Sequence, residues 1–207
     1  MSDARHETID TGSTSWVEVY RRLTEAVIPR PIALVATVDL DGAANVAPFS
    51  FFTVVSSNPP FIAFAPHRAG RSGSKKDTLR NIEQIGEFTV SVVTEEIAER
   101  VNACAAPLPY GDSEFEHSGL TPVAAARVRA PLVAESPVGL ECVLEEIRSY
   151  GEEGGAGSLV VGRVVLMHID SAIRDPKDGS IIAERLRAVG RMGGSLWCRT
   201  LDTFPLD

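Results

Sequence analysis

Two short stretches carry residue types and spacings suited to binding chemistry. In the first, Gly70, Ser72, Gly73 and Ser74 lead into Lys75, Lys76, Asp77 and Thr78, and apolar residues at helical spacing follow. A helix N-terminus offers unpaired amide N–H groups and the positive end of its dipole. Lysine and hydroxyl side chains at the same place add charge and directed donors. Together they suit a single phosphate group; the plain alternative is a solvated loop before an ordinary capped helix. In the second stretch, polar Asn45, Ser50 and Thr53 sit among Phe49, Phe51 and Phe52, close to Pro48. A proline inside a strand implies a bulge or an edge, and a bulge frees backbone N–H and C=O groups. Such groups can face a flat polar heterocycle that the phenylalanines wall in. The plain alternative is a core strand with buried aromatics.

Other chemistries lack their patterns. There is no GxGxxG after a strand and no GxxxxGK[ST], which argues against a Rossmann dinucleotide domain and a P-loop. The glycines from Gly151 to Gly157 have the wrong spacing for a phosphate loop and read as a hairpin tip. His6, His67, His117 and His168 are scattered, with no HExxH, so no metal site is expected. No GxSxG elbow marks a hydrolytic serine. Cys104, Cys142 and Cys198 are odd in number and far apart, which argues against a disulfide framework. The formal charge of −8 runs against a nucleic-acid binder, which needs a basic stripe to displace counterions. The polar start of the chain has no apolar core of a signal peptide, and no apolar run reaches the roughly 20 residues that span a bilayer. A soluble cytoplasmic protein is the expectation.

The elements that must position these stretches are mostly strands. The 207 residues suffice for one sound core, with roughly 70% of the unfolded surface buried. Residues 1–15 read as a flexible tail and residues 16–207 as one domain. A short helix over 16–23 is followed by Pro29 and Pro31, which force extended backbone. The apolar, β-branched run 32–38 reads as a buried strand, and Asp39 to Gly42 as a turn. Strands follow over 44–55 and 61–65. Then comes a helix with Asp77 as N-cap, Leu79, Ile82 and Ile85 inward, and Gly86 as its stop. Residues 87–93 form a strand and 95–104 a helix; residues 107–131 are irregular. A long hairpin joins 138–145 to 159–169, and the end of the chain is mixed. Strands without a βαβ rhythm predict a mainly antiparallel barrel with peripheral helices, α+β in broad class.

The two chemical stretches belong to a longer series of motifs. Pro29-Arg30-Pro31-Ile32-Ala33-Leu34-Val35, Asn45-x-Ala47-Pro48-Phe49-Ser50-Phe51-Phe52, Ser57-Asn58-Pro59-Pro60 and Lys76-Asp77-Thr78-x-x-Asn81-Ile82 follow one another. Gly86-Glu87-Phe88, Glu135-Ser136-Pro137-Val138, Gly162-x-Val164-Val165-x-x-His168-Ile169 and Arg191-Met192-Gly193-Gly194 continue the series. In order and spacing, over roughly residues 25–205, this resembles the flavin reductase-like proteins with an FMN-binding split barrel. The resemblance implies a split β-barrel and a homodimer with FMN at the interface. It implies that Ser50, Phe51 and Phe52 meet the flavin ring and ribityl chain, largely through backbone. Lys76 and Thr78, with Asp77 between them, match the phosphate-holding positions, and Asn45 lies on the approach. Lys75 is the rival to Lys76. His168 and Arg191 match positions near the flavin.

The function so implied is an NAD(P)H:flavin oxidoreductase, with hydride passing from NADH or NADPH to FMN, or to FAD. Reduced flavin would then serve a partner monooxygenase or another acceptor. Three other readings stay open: an FMN-binding electron carrier or flavin store, an oxidoreductase for a dedicated organic substrate covered by residues 107–131, and a module without a ligand.

Overall fold

A computed structural model describes residues 6–70, 72–106 and 113–206. Along the chain run α1 (Trp16–Ala26), β1 (Arg30–Pro31), β2 (Ala33–Val38), β3 (Ala44–Phe49), β4 (Phe52–Ser57), β5 (Pro60–Phe64), α2 (Asp77–Ile85) and β6 (Glu87–Val92). Then come α3 (Ala98–Ala103), α4 (Glu114–Ser118), β7 (Pro122–Val123), β8 (Leu132–Val133), β9 (Val138–Ser149), β10 (Ser158–Ile169), α5 (Ala183–Leu186), β11 (Val189–Arg191) and β12 (Trp197–Arg199). The architecture is mainly antiparallel β with a few helices, as expected.

Seven strands form one sheet in the order β3-β2-β6-β9-β10-β5-β4, every neighbouring pair antiparallel. The two edge strands, β3 and β4, are consecutive in the chain and only Ser50 and Phe51 separate them. A two-residue link spans at most about 10 Å. The sheet must therefore curl until its edges nearly meet, without pairing. That gap is the split of the barrel. Pro48 lies in the edge strand β3, where a missing N–H breaks no ladder on the open side.

The curled sheet buries side chains on both faces. Strand β2 is buried at all six positions. Ala33 and Val35 enter an inner core with Phe49, Phe64, Phe88, Val90, Leu140 and Cys142. Leu34 and Ala36 enter an outer core with Val46, Ile97, Val101 and Phe115. Helix α2 joins the inner core through Leu79 and Ile82, while Ile85 is half-buried. The helix ends on Gly86, whose φ of 74° is the left-handed cap that glycine adopts without strain. Among the described residues no helix is long and apolar enough to cross a membrane.

Several boundaries differ from the sequence expectation. The strand expected over 44–55 is two strands, broken at Ser50–Phe51. Its bulge is not at Pro48; the register shift falls between Val54 and Ser56, in β4. The helix expected over 95–104 starts as a 3-10 turn, Glu95–Ile97, before α3. Of residues 107–131, 107–112 lie outside the described residues; the rest holds α4 and β7. Strand β9 runs four residues beyond its expected end, to Ser149.

One close contact fixes the barrel's interior. A Cβ at Gly162 would lie 2.3 Å from the Phe88 ring. Gly162→Ala is expected to cost about 1–3 kcal/mol by overpacking. An unchanged urea midpoint would show that the ring can retreat.

Candidate functional site

The first cluster gathers at the start of α2. Asp77 is the first helical residue and not the cap; Lys76, in extended backbone, is the cap and lends no side-chain bond. Asp77 has turned to Arg80, 2.7 Å away. The amides at this helix end are thus left without a side-chain acceptor. Lys75 pairs with Glu83 at 2.6 Å. Lys76 has no carboxylate partner among the described residues, and its ammonium sits 5.5 Å from the Phe49 ring centroid. Desolvation holds its pKa below that of an ordinary lysine. The two rival lysines are separated by their partners: one is engaged and one is free.

Thr78 is fully buried and donates to Asn45 Oδ1 at 2.9 Å. Asn81 donates to Thr37 Oγ1 at 3.0 Å. These bonds tie the helix end to β2 and β3. They also mean that the Thr78 hydroxyl already has an acceptor, which leaves its backbone N–H as the group free to meet a ligand.

The second cluster occupies the split. Phe51 accepts the N–H of Ala65 at its carbonyl, 2.8 Å away. Its ring meets His67 edge-on at 4.7 Å and stacks on Tyr20 at 6.2 Å. Phe52 turns the other way, against the inner core. Ser50 accepts from Arg30 Nε at 3.4 Å. His67 joins the clusters: desolvation first, and the charge of Lys76 second, hold its pKa below the usual histidine value.

The loop between them is seated on the hairpin tip. Arg68 and Ala156 are joined through backbone, and a Cβ at Gly154 would lie 2.2 Å from the carbonyl of Gly70. The glycine cluster is therefore a hairpin connection that also supports the loop. Arg68 donates to the Gly73 carbonyl at 2.9 Å, while its Nε is buried with no partner.

The last two candidates fall apart. Arg191 pairs with Arg30 across β1 and β11 and lies over Trp197, its guanidinium carbon 5.4 Å from the ring centroid. Its strand adjoins β1, whose Arg30 reaches Ser50 at the split. His168 lies ten residues along β10 from Ser158, roughly 30 Å at strand rise. There it contacts Glu141 at 2.6 Å. Within one chain the structure brings together Asn45, Ser50, Phe51, Phe52, Lys76, Asp77 and Thr78, with Arg191 beside them, and leaves His168 apart.

Sequence reasoning gave no role to Tyr20, Arg30, His67 or Arg68. The only available signal was a charge between two prolines, Pro29-Arg30-Pro31. A cleft of about 300 Å³ between α1 and the split is lined by Trp16, Tyr20, Phe51 and His67, among others. A larger cleft, about 840 Å³, is lined in part by Asn45 and Asp77 and has acidic walls from Asp39, Asp41, Glu114 and Glu116. Its charge suits no phosphate, so the first two clusters remain the candidate site.

Comparison with known proteins shows the same fold. An uncharacterized protein of Halalkalibacterium halodurans is 43% identical over 201 residues, covering 96% of this chain and 95% of its own. The crystal structure of nitrilotriacetate monooxygenase component B from Bacillus cereus superposes with a TM-score of 0.90 at 35% identity, covering 97% of this chain and 98% of that one. The 2-nitrobenzoate 2-nitroreductase NbaA of Pseudomonas fluorescens superposes with a TM-score of 0.86 at 30% identity, covering 97% and 95%. The family model for the flavin reductase like domain matches residues 25–183, and the chain belongs to that family.

Proposed function

We propose that this protein is a flavin-dependent oxidoreductase that binds FMN at the split and reduces it with NADH or NADPH. The observation that carries the reading is a pair of cations, Lys76 and Arg68, that no carboxylate answers among the described residues, set beside free backbone; the nearby acids Asp77 and Glu83 are taken by Arg80 and Lys75. Lys76 and the uncapped start of α2 stand next to the link Ser50–Phe51, and Arg68 Nε is buried without a partner. An anion with a flat ring attached satisfies both needs; FAD offers the same ring and phosphate.

Each residue has a task in this reading. Lys76 and the amides of Asp77 and Thr78 hold the phosphate, and Asn45 fixes Thr78. Ser50, Phe51 and Phe52 present backbone to the ring, and Phe51 walls it. Arg191 adds positive charge at the rim. His168 reaches the site only from a second copy, which is the homodimer that places the flavin between chains. When bound, FMN supplies the hydride-accepting chemistry. The residues orient it, exclude water and hold a positive field around it.

The likeness to a monooxygenase component supports a partner monooxygenase as the electron acceptor. The likeness to a nitroreductase supports a second reading, in which electrons pass to a dedicated organic substrate. The visible spectrum of the FMN-loaded protein, before and after anaerobic NADH or NADPH, tests the proposal. Flavin bands that bleach are expected. Bands that dithionite bleaches but neither nucleotide does would make it a carrier. A protein that takes up no FMN would remove the central claim.

A further inference from the structure

Arg30 is 6% exposed, yet every partner of its guanidinium is neutral. Nε donates to Ser50 Oγ at 3.4 Å, Nη1 to the carbonyls of Thr24 and Val27, and Nη2 to the carbonyl of Met192 at 3.0 Å. Among the described residues no carboxylate reaches it within ion-pair distance. Its charged neighbour across the strand pair is Arg191, of like sign. Burial and that neighbour lower its pKa, but a guanidinium starts so high that it stays charged. Buried charges ordinarily find an opposite charge.

The carbonyls at the end of α1 explain how this charge is tolerated. They do not neutralise it. Its field is therefore free to act on whatever lies on the open side, and that side is the split. The guanidinium carbon is 5.9 Å from the Phe51 ring centroid, and Nε holds the hydroxyl of the residue before it. The other cations differ in kind. Lys76 faces the proposed phosphate, whose charge is the same in both redox states, and His67 is held toward its neutral form. Arg68, whose Nε is also buried without a partner, bonds within the loop that leads to Lys76, whereas Arg30 is the buried, fixed and unanswered charge beside Ser50 and Phe51, at the ring end.

We propose that Arg30 is the built-in counter-charge for the reduced, anionic flavin, acting through the Ser50–Phe51 link that it supports. This rests on the flavin reading of the site. A positive charge favours the anionic reduced ring over the neutral oxidised ring, so it raises the flavin's midpoint potential. Arg30 is a positioning residue with an electrostatic consequence; its carbonyl bonds alone would affect stability and nothing else.

The test measures the midpoint potential of bound FMN in the wild type, Arg30→Gln and Arg30→Lys, with oxidised FMN affinity from fluorescence quenching. In the glutamine variant, affinity for reduced FMN is expected to fall about tenfold more than for oxidised FMN. For a two-electron couple that lowers the potential by about 30 mV. The lysine variant keeps the charge and is expected to keep the wild-type potential, even where both variants lose thermal stability. Equal potentials in all three proteins, or a lysine variant shifted as far as the glutamine one, would overturn the proposal. Should the glutamine variant fail to fold, the wild type still decides: its bound FMN is expected above the potential of free FMN in the same buffer, and a value at or below it overturns the proposal. A wild type that binds FMN in neither redox state refutes the flavin reading itself, and this inference with it.

Discussion

Glu141→Ala is expected to destabilise the fold by about 3–5 kcal/mol, because it strips the acceptor from several buried amide donors, each of which costs about 1–3 kcal/mol when left unsatisfied. The Glu141 carboxylate is completely buried and accepts from the amides of Ala126 at 2.8 Å, Arg127 at 2.6 Å and Val128 at 3.2 Å, besides His168. Alanine would leave those donors facing a void. Urea unfolding measures the loss; less than about 1 kcal/mol would mean that water replaces the carboxylate. The charge also carries a pH signature. Burial alone would raise the pKa of Glu141, but hydrogen bonds from Ala126, His168 and Arg127 outweigh it and hold the group below the ordinary carboxylate range. A folded pKa below the unfolded one gives stability that is complete above the unfolded value and is lost as pH falls through the folded one. The gap between wild type and Glu141→Gln is therefore expected to narrow on acidification through and below the ordinary carboxylate range. A gap that widens there would contradict the assigned direction.

Lys76→Ala is expected to weaken FMN binding about ten- to a hundredfold, because a charge-assisted bond to phosphate contributes about 1.5–3 kcal/mol. Riboflavin has the ring without the phosphate, so its affinity should hardly change. The pair of titrations isolates the phosphate contact, and a melting curve checks that the variant is folded. Adding Thr78→Ala weakens FMN further but confounds the reading, because the Thr78 hydroxyl ties α2 to Asn45 of β3. Unchanged FMN affinity in Lys76→Ala would place the phosphate elsewhere.

Much of this scaffold was legible in the residues. The apolar run that became β2, the glycine stop of α2 and the long hairpin β9–β10 all follow from local pattern. Pro48 left a bulge or an edge open, and the strand is an edge. What escaped depends on distant partners or on very short elements. The break at Ser50–Phe51 interrupts a stretch that stays rich in phenylalanine on both sides, so no polarity change marks it. Aspartate is a common cap, yet the cap is Lys76, because Asp77 is occupied by Arg80. Arg30 was only part of a motif in the sequence; its burial depends on Met192, far along the chain. His168 took its site role from a motif, whereas its contact with Glu141 comes from facing strands. Strands of two or three residues, such as β1 and β11, are too short to show a period. The preference for Lys76 over Lys75 came from the Lys-Asp-Thr motif; that Lys75 pairs with Glu83 could not be read from the sequence.

The link between the two edge strands bears on how the protein is made. Local hairpins form β2–β3 and β4–β5, and both are complete once the chain has reached Phe64. Yet the strand that flanks β5 is β10, whose pairing partner for Phe64 is Val160, about ninety-five residues later. At the usual 5–20 residues per second, a ribosome takes roughly 5–20 s to supply it. Early in that interval the growing chain gains Lys76, Asp77 and Thr78 and so holds both proposed clusters, while Arg191 and His168 come only after Val160, and β10 is not yet there to flank β5. Pairings this remote in sequence also close slowly. On the proposed reading, cofactor capture is a late event in the life of the nascent chain, and β5 waits as an open edge until the far hairpin arrives.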